Sequence, residues 1–180
     1  MVVLGFSLLA LGVFLLMEGV AWWTHRYIMH GWGWGWHRSH HEPHDRVLEK
    51  NDLYAVVGSV VGSGLFVLAL LTRSWALYAV ATGVTAYGAM YGFVHDGLVH
   101  QRWPWRWMPR NGYARRLVQA HRLHHAVRTK HGAVSFGFIL APDPHRLRAI
   151  LKARRSALRP ASTGSGAEAA PFSGPAPGSR

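Results

Sequence analysis

The sequence has no cysteine, which removes disulfide frameworks, thiolate-ligated haem, cysteine-bound iron–sulfur clusters and cysteine-based zinc sites. Acidic residues are scarce: 8 Asp and Glu stand against 20 Lys and Arg in 180 residues, a formal charge of +12. No His-Glu-x-x-His occurs, so a zincin-type protease is unsupported. No Glu-x-x-His pair occurs either, which excludes the carboxylate-rich di-iron bundle of soluble proteins. A dinucleotide or flavin fingerprint is also missing, so electrons for any redox chemistry must come from another molecule.

Charge is missing from three long stretches. Met1 to Trp23 carries one charged side chain, Glu18, while Leu53 to Thr72 and Trp75 to Val94 carry none. At about 1.5 Å per residue, twenty helical residues span roughly 30 Å, the thickness of a bilayer's hydrocarbon core. The runs are apolar all round, interrupted by Gly, Ser, Thr and Tyr. The expected fold is therefore all-α, an integral membrane helical bundle of about three transmembrane helices with a histidine-rich cytoplasmic cap. The first run has no basic n-region and ends in Trp22-Trp23 rather than a small-residue cleavage site, so it reads as an anchor rather than a secretory signal. Asn51-Asp52 reads as the N-cap of the second span. Thr72-Arg73-Ser74 leaves room for a tight hairpin to the third.

Of the 20 basic residues, four lie between the first and second spans, one at the hairpin tip and fifteen after the third. Three spans put 19 of them on one side, which the positive-inside rule makes cytoplasmic and, in a bacterium, the inner-membrane face. Trp22, Trp23, Trp75, Trp103, Trp105 and Trp107 fit interfacial anchoring. Juxtamembrane charge favours anionic membrane lipids as the partner, with no nucleic acid expected. Residues 144–159 read as a basic amphipathic helix on the membrane surface, capped by Asp143, with Leu147, Ile150, Leu151 and Leu158 on one face. Residues 1–159 form the expected domain, and the Gly/Ser/Pro/Ala-rich 160–180 a disordered tail. The apolar stretch 134–141 is too short to span and reads as re-entrant or interfacial.

Eleven of the 13 histidines fall in two windows, 25–44 and 95–125. Each window follows a span and repeats one grammar. His25 and His30 form an H-x4-H box followed by the H-x2-H-H box of His37, His40 and His41; His95 and His100 are followed in the same way by His121, His124 and His125. On an α-helix, positions i, i+3 and i+4 share a face, so H-x2-H-H can offer three imidazoles to one centre. The H-x4-H pair is separated by about 140° at 100° per residue. Its members are expected to face different metals, or the second to sit at a frayed end, with Gly31 stopping the helix. Ten imidazoles are too many for one ion; two ions would take four or five each. Imidazole suits Zn, Cu, Fe and Ni, so a metal hydrolase and a non-catalytic metal-binding membrane protein both remain open at this point.

The stretches His95-Asp-Gly-Leu-Val-His100-Gln-Arg-Trp-Pro and His121-Arg-Leu-His124-His125-Ala-Val, with Val134-Ser-Phe-Gly-Phe138, resemble bacterial β-carotene 3-hydroxylases. Tyr27-Ile-Met-His-Gly-Trp-Gly-Trp-Gly-Trp-His37 and Asn51-Asp-Leu-Tyr-Ala-Val-Val57 fit the same family. The resemblance covers about residues 18 to 142. It places the chain in the membrane fatty-acid hydroxylase superfamily, whose members carry a histidine-bound non-haem di-iron centre. It implies that His25, His30, His37, His40, His41, His95, His100, His121, His124 and His125 bind two iron ions; His44 is outside that set. The implied reaction is O2-dependent hydroxylation of a β-ionone ring at C3, taking β-carotene through β-cryptoxanthin to zeaxanthin. The carotenoid comes from the bilayer and electrons come from a ferredoxin or similar carrier. A fatty acyl or sterol hydroxylase or desaturase of the same superfamily is the alternative.

Two carboxylates are candidates for support. Asp96 adjoins His95 and is placed to accept a hydrogen bond from an imidazole N–H, although a surface or capping role explains it equally. Glu18 lies within a span, where a charge costs at least ~2.5 kcal/mol, and seven residues before His25 on the same helical face. It is expected to face the bundle and to support a ligand or line the ring pocket. Because imidazole binds metal when neutral, activity is expected to fall below about pH 6.

Overall fold

The computed structural model describes residues 1–42, 48–105 and 107–158, and the regular structure among them is helical. His44, the boundary at residue 159 and the tail 160–180 lie outside the described residues. The three uncharged runs form the long helices α1 (Val2–Trp23), α3 (Asp52–Thr72) and α4 (Trp75–Gly92). The short α2 (Trp34–His41) lies between the first two, and α5 (Gly112–His125) and α6 (Pro144–Leu158) follow. Both α1 and α4 continue into wider π-helical stretches, Thr24–Trp32 and Phe93–Val99. With these continuations, three helices are long and apolar enough to cross a bilayer. Their surfaces expose residues such as Leu8, Val60 and Leu70, which only lipid can cover favourably. The chain is a membrane protein.

α4 is the central helix and packs on both α1 and α3. Gly83 permits the close approach to α1: a Cβ there would stand 2.5 Å from the Ala10 carbonyl oxygen. The turn between α3 and α4 closes through Arg73 in the left-handed region (φ 52°), and the Ser74 hydroxyl caps α4 by accepting from the Leu77 N–H. α3 begins at Asp52 as expected, but Asn51 makes no side-chain cap. Its amide oxygen instead accepts a 2.7 Å hydrogen bond from His37 Nδ1, so the residue that marks the helix start is committed to a histidine.

α6 forms where expected, with Asp143 accepting from the His145 N–H. It lies against α5 rather than on lipid alone: Leu147 and Leu151 are buried with Ala120, Val134 and Ala141. Leu158 is not on that buried face. It is 83% exposed, because the helix outruns the cluster it packs on. The stretch 134–141 has neither helix nor strand, yet Val134, Phe136, Phe138 and Ala141 are buried. It meets α1 at Glu18, five residues, or roughly 7 Å, inside the end of that helix, so it dips below the level of Trp23.

Candidate metal centre

The two H-x4-H boxes coincide with the two π-helical stretches. Bonding from i to i+5 widens the turn, so residues five apart come onto one side instead of diverging by 140°. The His100 N–H donates to the His95 carbonyl at 3.0 Å, and the Gly33 N–H to the Ile28 carbonyl at 2.9 Å. Gly31 breaks the helical conformation directly after His30 (φ −107°, ψ −125°). The expectation that the two members of each box face different metals is therefore overturned.

The histidines form two groups. His25, His30, His37, His41 and His124 make one, and His40, His95, His100 and His121 the other; in each, the facing nitrogens all lie within 4.8 Å of one another. His125 flanks the second group, its Nε2 2.9 Å from that of His121 and its ring 4.6 Å from His40. The expectation that each H-x2-H-H box serves one centre also fails. At 100° per residue, i+3 and i+4 diverge by about 100°, so each box straddles the groups. His37 and His41 serve the first group while His40 crosses to the second; His121 and His125 stay with the second while His124 crosses to the first. Each half of the chain thus supplies four imidazoles to its own group and one to the other.

Proton placement makes both groups receptive to cations. Nδ1 of His25, His30, His41 and His124 donates to the carbonyls of Phe136, Lys130, Val127 and Val134, at 2.8–3.0 Å. His37, His40 and His95 donate in the same way to Asn51, Glu49 and Asp96. Each of these seven rings therefore presents an Nε2 lone pair. Those nitrogens face one another at 3.1 Å (His25 to His37), 3.1 Å (His41 to His124) and 2.8 Å (His40 to His95). Facing lone pairs at such distances repel unless a cation lies between them. The donor set therefore fits two metal ions held by neutral imidazole.

Glu49 and Asp96, behind His40 and His95, meet at Arg102. Its guanidinium donates to both Asp52 oxygens at 2.8 Å and lies 3.4 Å from Asp96 and 3.9 Å from Glu49. Glu18 is buried and faces the bundle as expected, it does not line the cavity described below, and among the described residues its hydrogen-bond partners are not imidazoles. Its carboxylate accepts from the Tyr87 hydroxyl at 2.7 Å and from the N–H groups of Phe138, Ile139 and Leu140 at 2.9–3.1 Å. Gly137 makes room for it: a Cβ there would fall 2.5 Å from Glu18 Oε1. Glu18 pins the stretch whose Val134 and Phe136 carbonyls hold His124 and His25. Nothing in their spacing marked Asn51, Glu49, Arg102 and Tyr87 as partners of this site. The scarcity of acid was the available signal, since Glu18, Glu49, Asp52 and Asp96 are half of all the carboxylate side chains.

Burial is the main force on the titrations. It pushes His37 and His100 down to about 3 and His41 to about 4, with the neighbouring imidazoles adding to the effect and the Asn51 and Val127 oxygens opposing it at His37 and His41. His40, His121, His124 and His125 are lowered for the same first reason. His37, His41 and His100 therefore stay neutral well below pH 6.

A cavity of about 620 Å³ lies among α1, α3 and α4 and ends at His95 and Asp96. Small residues give it width: no atom lies within 4 Å of a Cβ built at Gly58 or Gly88. Tyr91 and Phe138 stand at its inner end. Tyr91 stacks on His95 at 4.9 Å and Phe138 on His25 at 5.3 Å, and the two rings lie 4.3 Å apart.

A profile of the fatty acid hydroxylase family matches residues 10–142. A beta-carotene hydroxylase of Pseudescherichia vulneris is 55% identical over 149 residues, 82% of this chain and 84% of the relative. One from Pantoea ananas is 56% identical over 78% of this chain and 80% of the relative. The chloroplastic beta-carotene 3-hydroxylase 2 of Arabidopsis thaliana is 36% identical over 74% of this chain and 45% of the relative. No solved structure matches the chain significantly.

Proposed function

The chain belongs to the fatty acid hydroxylase family, and we propose that it hydroxylates the β-ionone ring of β-carotene at C3, giving β-cryptoxanthin and then zeaxanthin. The observation that carries this reading is an apolar cavity between membrane helices that ends on a ten-histidine cage, in a chain 55–56% identical to beta-carotene hydroxylases over 78–82% of its length. Each turnover is R–H + O2 + 2 electrons + 2 H⁺ → R–OH + H2O. The five histidines of the first group and His40, His95, His100, His121 and His125 of the second hold two iron ions. The iron pair, when bound, supplies the oxidising power that an unactivated C–H bond requires and that zinc lacks.

The protein's own contribution is placement. A long polyene enters from lipid by one end, and the cavity walls of α1, α3 and α4 hold that ring against Tyr91 and Phe138, beside His95. Those aromatic rings are apolar contacts for the ionone methyl groups and keep water from the reacting carbon. The hydrogen bonds at Nδ1 fix each imidazole so that Nε2 faces inward. Asp96, accepting from His95 Nδ1 at 2.8 Å, orients the ligand nearest the cavity.

Nineteen of the 20 basic residues fall in the two sequence segments outside the spans that carry the histidine boxes, a bias that supports a cytoplasmic cage at the inner membrane. An acidic ferredoxin-type carrier delivers the electrons there. Expression in cells that accumulate β-carotene tests the function: oxygen-dependent appearance of β-cryptoxanthin and zeaxanthin is expected. An unchanged carotenoid profile, with hydroxylated acyl chains instead, would overturn the assignment.

A further inference from the structure

On the outer side of the stretch that backs the first histidine group is a second hollow, of about 390 Å³, which hydroxylation does not use. Trp22 of α1 and Arg26 of its continuation form one wall, Leu147, Ile150 and Arg154 of α6 the other, and residues 133–137, 140 and 142 the floor. Trp22 and Trp23 end α1, and Arg26 is three residues, about 4.5 Å, further along; a Trp pair followed by a basic residue argues for headgroup depth.

The chemistry of the groove is two guanidinium groups on apolar walls. The Arg26 guanidinium lies 5.3 Å from the Phe136 ring centre and 5.5 Å from that of Trp22. Among the described residues it has no acidic partner. Arg154 is exposed and donates to the carbonyls of Gly132 and Ala133, at 2.6 and 3.3 Å. The outer face of α6 adds exposed Arg146, Arg148, Lys152 and Arg155, while Asp143 is the sole carboxylate side chain from 132 to 158. Guanidinium forks match phosphate oxygens two at a time. Leu140, on the floor, is 69% exposed and, with Trp22 and Ile150, offers a surface to acyl chains.

We propose that this groove binds an anionic phospholipid, its headgroup phosphate held between Arg26 and Arg154 and its chains against Trp22, Leu140 and Ile150. The floor of the groove is the stretch whose Val134 and Phe136 carbonyls receive the Nδ1 protons of His124 and His25. A bound headgroup braces that stretch, so membrane composition sets how firmly the first group is held. The proposal rests on the placement of the groove in the membrane and not on the identity of the substrate.

The test uses the delipidated full-length protein in mild detergent, offered phosphatidylglycerol or phosphatidylcholine with identical chains, with bound lipid counted by native mass spectrometry. Phosphatidylglycerol is expected to be retained at least roughly tenfold better. The preference should vanish in Arg26→Gln/Arg154→Gln and survive largely intact in Arg148→Gln/Arg155→Gln, on the outer face of the same helix. Inorganic phosphate at equal concentration should not displace the lipid, because it lacks the acyl contacts. Equal retention of the two lipids, or a preference lost equally in both double variants, overturns the proposal; so does displacement by phosphate alone. Both variants alter exposed side chains, and an unchanged melting temperature verifies that they fold.

Discussion

The two histidine groups are built from the same grammar but backed differently. Behind the first stand uncharged oxygens: four main-chain carbonyls and the Asn51 amide. Behind His40 and His95 of the second stand carboxylates, Glu49 and Asp96, gathered by Arg102. A carboxylate accepting from Nδ1–H makes the imidazole a stronger donor to metal than a carbonyl does. The second group also meets the cavity, through His95 and Asp96. Similar ligand sets therefore give inequivalent positions, with the more electron-rich one facing the substrate. The first group depends instead on the conformation of main-chain segments, and so on what pins them.

The crossing imidazoles give the largest expected effect. His40→Ala and His124→Ala each remove the one imidazole a group borrows from the other half of the chain. Each should lower hydroxylation by at least ~100-fold, beyond what loss of an outer partner costs. Metal analysis should show His40→Ala depleting the carboxylate-backed position and His124→Ala the carbonyl-backed one; identical metal loss in both would erase the distinction. Asp96→Asn should weaken metal at the second position by about 10- to 100-fold, read as one early-released equivalent in a chelator titration.

Glu18→Gln sharpens the contrast from the other side. A carboxylate that accepts at both oxygens is replaced by an amide that keeps one accepting oxygen and turns an NH2 toward groups that donated to the other. The cost should be about 1.5–3 kcal/mol, the range for a hydrogen bond to a charged group. Thermal unfolding would read it, and metal should leave the first position preferentially, because Val134 and Phe136 serve His124 and His25. Equal loss from both positions would mean that Glu18 acts on overall stability alone.

Acid should produce a smaller, graded change. With folded-state values near 3 and 4, His37, His41 and His100 remain neutral at pH 5, whereas in the unfolded chain they take up protons below about 6.5. The unfolded state then binds more protons, so metal-free stability is full above about 6.5 and declines as pH falls toward 4. The melting temperature of the metal-free protein should be lower at pH 5 than at pH 8. An unchanged value would mean that the imidazoles are not buried in the metal-free fold.

What could be read from the sequence was what lipid imposes. Long uncharged runs have one outcome in a bilayer, so α1, α3 and α4 and the turn at Arg73 were legible to within a few residues. The gathering of the ten histidines was legible from their spacing. Their division was not, because residue type does not encode whether a helix bonds i to i+4 or i to i+5, and that choice sets the direction of His30 and His100. The stretch 134–141 was illegible for a related reason. It has no helical or strand period, and its shape comes from Glu18, 116 or more residues away in sequence, which engages its three successive N–H groups. Asn51 shows the same limit in miniature: its position marked a helix start, but its amide went to His37.

The most direct measurement is iron counted per chain in wild-type protein reconstituted anaerobically with ferrous iron, alongside zeaxanthin formed from β-carotene on admitting oxygen and a reduced ferredoxin. The account predicts two irons per chain, bound with unequal affinities, and product formation only when both are present. One iron per chain with full activity, or two irons released together without distinction, would contradict it.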